Sequence, residues 1–164
     1  MKRDEILDNI RQSLLAITTP RFYETERGFQ GELLVQLVRR MTLPDQAIIE
    51  QEHQKRAFAH GLVCRPDIII HEPFDPARHR DRTERNFAVI ELKLRATPKE
   101  VGEDFRSIAD MIRVLHYPLG IFINIDCDQT YVDLVPEDLR QQIVTFAVAL
   151  RDGSVLMRSH PRHP

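Results

Sequence analysis

Three ionisable residues lie in segments whose other residues are mostly apolar. Glu91 and Lys93 lie within the run Phe87–Leu94, and Asp67 comes directly before the run Ile68–Ile70. Because strand side chains alternate between faces, Glu91 and Lys93 would share one face, with their Cα atoms about 6–7 Å apart. An unpaired charge inside such a strand is energetically costly. We therefore expect these side chains to pair with one another, to bind a cation or to open into a cleft.

Two carboxylates on neighbouring strands favour a divalent cation between them. Asp67 and Glu91 would repel each other, and the pKa of one would rise, unless a cation lies between them. Proteins hold Mg²⁺ with one or two carboxylates, completed by waters and phosphate oxygens. Lys93 could then stabilise charge on a phosphate or orient an attacking water. An incidental Glu91–Lys93 ion pair in a small-ligand α/β protein is the alternative, and it predicts no dependence on divalent cations.

A further carboxylate could come from an element that precedes these strands. Glu32 lies on the flank of a predicted helix, whose apolar stripe includes Phe29, Leu33 and Leu37. Glu50 and Glu52 are alternatives to Glu32, because both belong to the predicted strand that follows this helix.

The spacing of apolar residues predicts the elements that position these groups. Helical periodicity, capping signals and β-branched runs predict the order helix, helix, three strands, helix, strand, short helix and a hairpin. The predicted bounds are 3–17, 29–41, 47–52, 63–71, 87–94, 97–116, 119–125, 136–142, and 144–150 with 154–157. This order predicts an α/β fold in which helices pack on a mixed β-sheet.

Composition limits the class of protein. The 164 residues carry 23 Lys and Arg against 25 Asp and Glu, a formal net charge of −2. That length predicts a single domain over residues 1–164. The charged N-terminus and the lack of a long apolar run predict a cytoplasmic protein with no membrane partner. Cys64 and Cys127 lie too far apart in sequence for a typical zinc site.

With so little net charge, nucleic-acid binding would depend on local basic patches. The loop 72–86 provides one patch, and Arg65 lies two residues before Asp67. The four arginines of the loop are Arg78, Arg80, Arg82 and Arg85.

The acidic residues and the lysine resemble a known family signature. Pro66-Asp67, followed by Glu91-Leu92-Lys93, resembles the signature of the PD-(D/E)XK nuclease superfamily, which has the restriction-endonuclease-like fold. The core order of that family is a helix, three antiparallel strands, a helix and a fourth strand. The predicted elements over about residues 27–126 follow this order. The first helix and the C-terminal hairpin would be additions to the core.

The resemblance implies a metal-dependent nuclease that hydrolyses phosphodiester bonds by in-line attack of water. Asp67, Glu91 and the carbonyl of Leu92 would bind Mg²⁺ or Mn²⁺, and Glu32 would bind it directly or through water. Lys93 would act near the attacking water. Arg65 and the loop arginines would contact nucleic acid, with DNA favoured over RNA. A catalytically inactive nucleic-acid-binding or scaffold protein of the same fold is the alternative. A homodimer, or a partner that supplies specificity, also fits the short core.

Overall fold

The computed structural model describes residues 1–51 and 64–161, whose centre is a six-stranded mixed β-sheet. The helices in this part of the chain are α1 (Arg3–Leu15), α2 (Glu26–Arg40) and α3 (Pro98–Leu115). The strands are β1 (Ile48–Gln51), β2 (Ile68–His71), β3 (Asn86–Leu94), β4 (Gly120–Ile125), β5 (Ile143–Arg151) and β6 (Ser154–His160). Short 3₁₀ turns cover Pro20–Tyr23, Val132–Leu134 and Glu137–Leu139.

The strands lie side by side in chain order. The first three form an antiparallel meander, β3, β4 and β5 are parallel neighbours, and β6 returns antiparallel along β5. This arrangement confirms the predicted α/β class with a mixed sheet. The hairpin turn at Asp152-Gly153 is also confirmed, and both of its residues have positive φ.

The short helix predicted over 136–142 is present only as a 3₁₀ turn. A 3₁₀ turn at Glu137–Leu139 takes its place, and β5 begins at Ile143. Pro136 cannot continue a helix from the preceding residues, and too few residues remain before β5 to offset the cost of starting an α-helix. The 3₁₀ turn uses fewer residues for each turn and therefore fits the available length.

Helices cover both faces of the sheet. Helices α1 and α2 pack on one face, where they bury Ile10, Leu14 and Phe29 against the sheet. Helix α3 packs on the other face through its apolar stripe, which includes Phe105 and Ile108. The predicted capping box begins α3: Thr97 accepts a hydrogen bond from the N–H of Glu100, and Glu100 accepts one from the N–H of Thr97. No helix in the described part of the chain is long and apolar enough to cross a bilayer.

The register of β2 and β3 determines which side chains meet. Ile68 pairs with Ile90, and Ile69 pairs with Val89. Ile68 and Ile90 face α1 and α2, whereas Ile69 and Val89 face α3. Alternation therefore places Asp67, Glu91 and Lys93 on the α3 face, with Asp67 opposite Glu91 across the strand pair.

Candidate active site

The carboxyl groups of Asp67 and Glu91 meet on the α3 face of the sheet. The two side chains interact directly with each other. Asp67 Oδ2 also accepts a hydrogen bond from the backbone N–H of Leu92, at 2.7 Å. Glu91 Oε1 accepts one from the hydroxyl of Ser107 on α3, also at 2.7 Å. Two ionised carboxylates in this position repel each other.

Burial disfavours the ionised form of both carboxyl groups. It raises the pKa of Glu91 well above its ordinary value, and the negative charge of Asp67 adds to the rise. Burial also raises the pKa of Asp67, although the hydrogen bond from Leu92 partly opposes this. Both effects disfavour two ionised carboxylates side by side in a desolvated site.

Asp104 on α3 adds a third carboxyl group to the same face. Burial raises its pKa to about 7; the positive charge of Lys93 opposes the rise, and the charge of Asp67 adds to it. Its Oδ2 atom is buried and has no hydrogen-bond partner within the described residues. Asp104 precedes Ser107 by three residues, so the two side chains lie about one helical turn apart on α3.

Lys93 is the cation surrounded by these acids. Burial disfavours its charged form, but the charges of Asp104, Glu26, Asp67 and Glu91 together outweigh burial and raise its pKa. Lys93 therefore remains an ammonium group at neutral pH.

Helix α2 contributes a fourth carboxylate at its first residue, Glu26. Glu26 Oε1 lies 3.7 Å from Lys93 Nζ, and Oε2 accepts the N–H of Leu94 at 3.1 Å. One turn later, Gln30 Nε2 donates to the backbone carbonyl of Asp67 at 2.8 Å. A carboxylate at the start of a helix is stabilised by the helix dipole. We call Glu26, Asp67, Glu91 and Asp104 the acidic cluster.

The structure brings Asp67, Glu91 and Lys93 together but gives the other candidate acids different surroundings. Glu32 accepts a hydrogen bond from Gln36, and it lies about 200° around α2 from Gln30, the residue that reaches Asp67. Glu50 hydrogen-bonds to His71, at the end of β2 away from Asp67. Glu52 lies outside the described residues. The acid of α2 that reaches this site is therefore Glu26, which contacts Lys93.

Of the arginines predicted to contact nucleic acid, only Arg65 lies near the acidic cluster, and those of the loop 72–86 lie away from it. Arg65 is exposed and lies two residues before Asp67, near the cluster. The loop 72–86 joins β2 to β3 at the end of this strand pair that is farther from Asp67. At ~3.3 Å a residue along the strand, the loop begins about 17 Å from Asp67. Its arginines make contacts within the loop: Arg78 and Arg85 bind the buried Glu72, Arg80 faces Glu84, and Arg82 stacks over Phe74.

Sequence reasoning missed Glu26, Asp104 and Ser107. Asp104 was recognisable in principle, because it falls three residues after the buried Val101 and four before the buried Ile108. A charged residue in the apolar stripe of a helix indicates an unusual buried polar group. Glu26 offered a weaker signal, since an acid after an N-cap threonine is common in ordinary helices.

The cluster has a donor set that fits a hard divalent cation. Within residues 1–51 and 64–161 there is no group of three or more His, Cys, Asp or Glu residues already arranged to hold a metal ion. Mg²⁺, however, commonly uses only one or two carboxylates and retains several waters. The Asp67–Glu91 pair meets that requirement, and the unpartnered oxygen of Asp104 provides another acceptor nearby.

Taken together, the site consists of four carboxyl groups, one ammonium group and one hydroxyl group at the border between α2, α3 and the sheet. The backbone N–H groups of Leu92 and Leu94 fix two of the carboxyl groups. No family model, no curated protein and no solved structure matches the chain.

Proposed function

We propose that this chain is a divalent-metal-dependent nuclease of the PD-(D/E)XK type, which hydrolyses phosphodiester bonds in nucleic acid, with DNA favoured over RNA. The observation that carries the proposal is the direct contact of Asp67 with Glu91 beside the ammonium group of Lys93. The order of α2, β1 to β3, α3 and β4 supports a restriction-endonuclease-like core, because the resemblance implies the same order.

The acidic residues would hold the cation. Asp67 and Glu91 would bind Mg²⁺ or Mn²⁺, with the Leu92 carbonyl as a further ligand implied by the resemblance. Glu26 takes the role expected of Glu32, because it is the helical acid in contact with Lys93. Bound Mg²⁺ would supply Lewis-acid chemistry toward a phosphoryl oxygen.

The remaining groups would orient and stabilise the reactants. The N–H of Leu92 and the hydroxyl of Ser107 fix the two carboxyl groups. The ammonium group of Lys93 would donate hydrogen bonds to a phosphate oxygen as negative charge develops there. Asp104 Oδ2 is buried and has no hydrogen-bond partner within the described residues, so Asp104 would act on the site through its charge next to Lys93.

The test is cleavage of labelled DNA and RNA in Mg²⁺, in Mn²⁺ and in EDTA. We expect activity only with a divalent cation, and a loss of more than about a hundredfold in Asp67→Asn and in Lys93→Gln. Asp110→Asn is the matched control, because Asp110 is an exposed acid on α3. Cleavage in EDTA, or full activity of Asp67→Asn, would contradict the proposal.

A catalytically inactive nucleic-acid-binding protein of the same fold is the second candidate. It is favoured by one observation: Asp67 already has a hydrogen-bond partner in Leu92, and Glu91 has one in Ser107. The fold therefore satisfies this pair without a cation. This alternative predicts oligonucleotide binding with no cleavage under any of the three conditions.

A further inference from the structure

The ends of β3 and β4 are held together by an unusual contact. Arg95 and Asp126, which follow these strands directly, both have left-handed backbone conformations, with φ of 52° and 53°. Such conformations cost about 1 kcal/mol or more in residues other than glycine and persist where the surroundings hold them. Here Arg95 Nε donates to Asp126 Oδ2 at 2.8 Å, and the N–H of Arg95 donates to the Ile125 carbonyl at 2.9 Å.

Arg151, the last residue of β5, binds the other oxygen of the same carboxylate. The Asp126 side chain is only 14% exposed, whereas those of Arg95 and Arg151 are 66% and 51% exposed. Two guanidinium groups on one carboxylate leave one positive charge in excess. Each guanidinium has five N–H donors, and Asp126 accepts only some of them. We call Arg95 and Arg151 the arginine pair; its free donors face solvent.

Arg95, one member of the arginine pair, lies close to Lys93 at the border of the acidic cluster. Arg95 follows Lys93 by two residues, which places their Cα atoms within about 7 Å. A cavity of about 460 Å³ adjoins the pair, with Ala147 and Ala149 among its lining residues and Arg158 beside them. Arg158 and Lys93 lie at the same level along their strands, three strands apart in the sheet. At ~4.8 Å a strand, about 14 Å separates the two residues.

We propose that a phosphodiester chain bound at the acidic cluster runs along the carboxyl ends of β3, β4 and β5, where the arginine pair holds its phosphates. This inference rests on the proposed nuclease function and names the surface that binds the substrate. It replaces the expectation that the loop 72–86 is that surface.

Charge and geometry favour this path. The acidic cluster repels a polyanion, so phosphates on either side of the reacting bond need cations close by. Arginine binds phosphate with two parallel hydrogen bonds, and the arginine pair offers two such groups side by side. The loop arginines are less suitable because they lie at the end of β2 and β3 that is farther from Asp67.

The experiment measures binding of a fluorescein-labelled single-stranded oligonucleotide, and its duplex, by anisotropy in Ca²⁺ across a salt series. Arg95→Ala and Arg151→Ala should each weaken binding roughly fivefold to tenfold and lower the salt slope by about one. Arg113→Ala is the matched control, because Arg113 is also 51% exposed and also pairs with an aspartate. Arg80→Ala tests the loop, since the Arg80 side chain is 93% exposed.

Cleavage of a small nitrophenyl phosphodiester separates substrate binding from catalysis. We expect Arg151→Ala to retain activity on this small diester while its KM for the oligonucleotide rises, and Arg151→Lys to recover part of the loss. Unchanged oligonucleotide binding in Arg95→Ala and Arg151→Ala, with a loss in Arg80→Ala, would overturn the inference and leave the nuclease function intact. A wild-type protein that neither binds oligonucleotide nor cleaves either substrate would reject the proposed function, and this inference with it.

Discussion

Neutralising Asp104 should stabilise the fold at alkaline pH. Its pKa of about 7 lies about three units above the ordinary value of 3.8, because burial disfavours the carboxylate. At 1.36 kcal/mol a unit, this shift corresponds to about 4 kcal/mol, and we take about half of that, because solvent reaches part of this side chain. Asp104→Asn should therefore raise the free energy of unfolding by about 2 kcal/mol at pH ~8.

The sign of the pH dependence follows from proton binding. The folded protein retains a proton on Asp104 that the unfolded chain releases, so ionising this residue costs folding free energy. The cost is absent below about pH 4, grows as the pH rises, and is complete above about pH 7. The difference in the free energy of unfolding between Asp104→Asn and the wild type should thus be near zero at low pH and largest at high pH.

Urea denaturation in EDTA at a series of pH values measures this difference. A gain of about 2 kcal/mol corresponds to an increase in Tm of about 4–8 °C for a chain of this length. Asp110→Asn, on the exposed side of the same helix, should show no comparable pH-dependent gain. A variant that is less stable than wild type at high pH would refute the reasoning, since the attraction of Asp104 to Lys93 would then outweigh its burial.

Three other perturbations test the packing and the charges. Gly120→Ala should lower the free energy of unfolding by about 1–3 kcal/mol, because the added Cβ would overlap the side chain of Ile108. Gly102→Ala, with open space around it, should be neutral or stabilising in the same denaturation assay. Glu72→Gln should lower the free energy of unfolding by about 1–2 kcal/mol, because it removes the carboxylate that Arg78 and Arg85 contact. Glu84→Gln should lower it by less than about 1 kcal/mol, and equal losses would refute this account of the loop. Lys93→Gln should raise the pKa of Asp104 further above 7, because the positive charge of Lys93 lowers that pKa in the wild type. NMR titration of the Asp104 carboxyl carbon measures the change, and an unchanged pKa would show that the two groups do not interact.

The main elements were predictable because they follow from local rules. The capping box at Thr97 and the apolar stripe of α3 are short-range signals, and the structure confirms both. Strand alternation was enough to predict that Glu91 and Lys93 share a face. It could not fix the pairing of Asp67 with Glu91, because register depends on how β2 and β3 meet across a long loop.

The rest of the site depends on how the helices dock. Glu26 enters it because the first turn of α2 lies against the end of β3, and sequence periodicity gives no information on that contact. The loop arginines were predicted as a binding patch from their charge alone. The burial of Glu72, which attracts Arg78 and Arg85, is a tertiary feature that the local sequence does not reveal.

Binding of Mn²⁺ by isothermal titration calorimetry, with the wild-type protein and Asp67→Asn, tests the central claim most directly. The account predicts that the wild type binds the cation and that the affinity rises with pH, because burial raises the pKa of both carboxyl groups and the cation binds their ionised forms. Asp67→Asn should lose this binding, whereas Asp110→Asn should retain it. Absence of binding by the wild type, or equal binding by Asp67→Asn, would contradict a metal site at this pair.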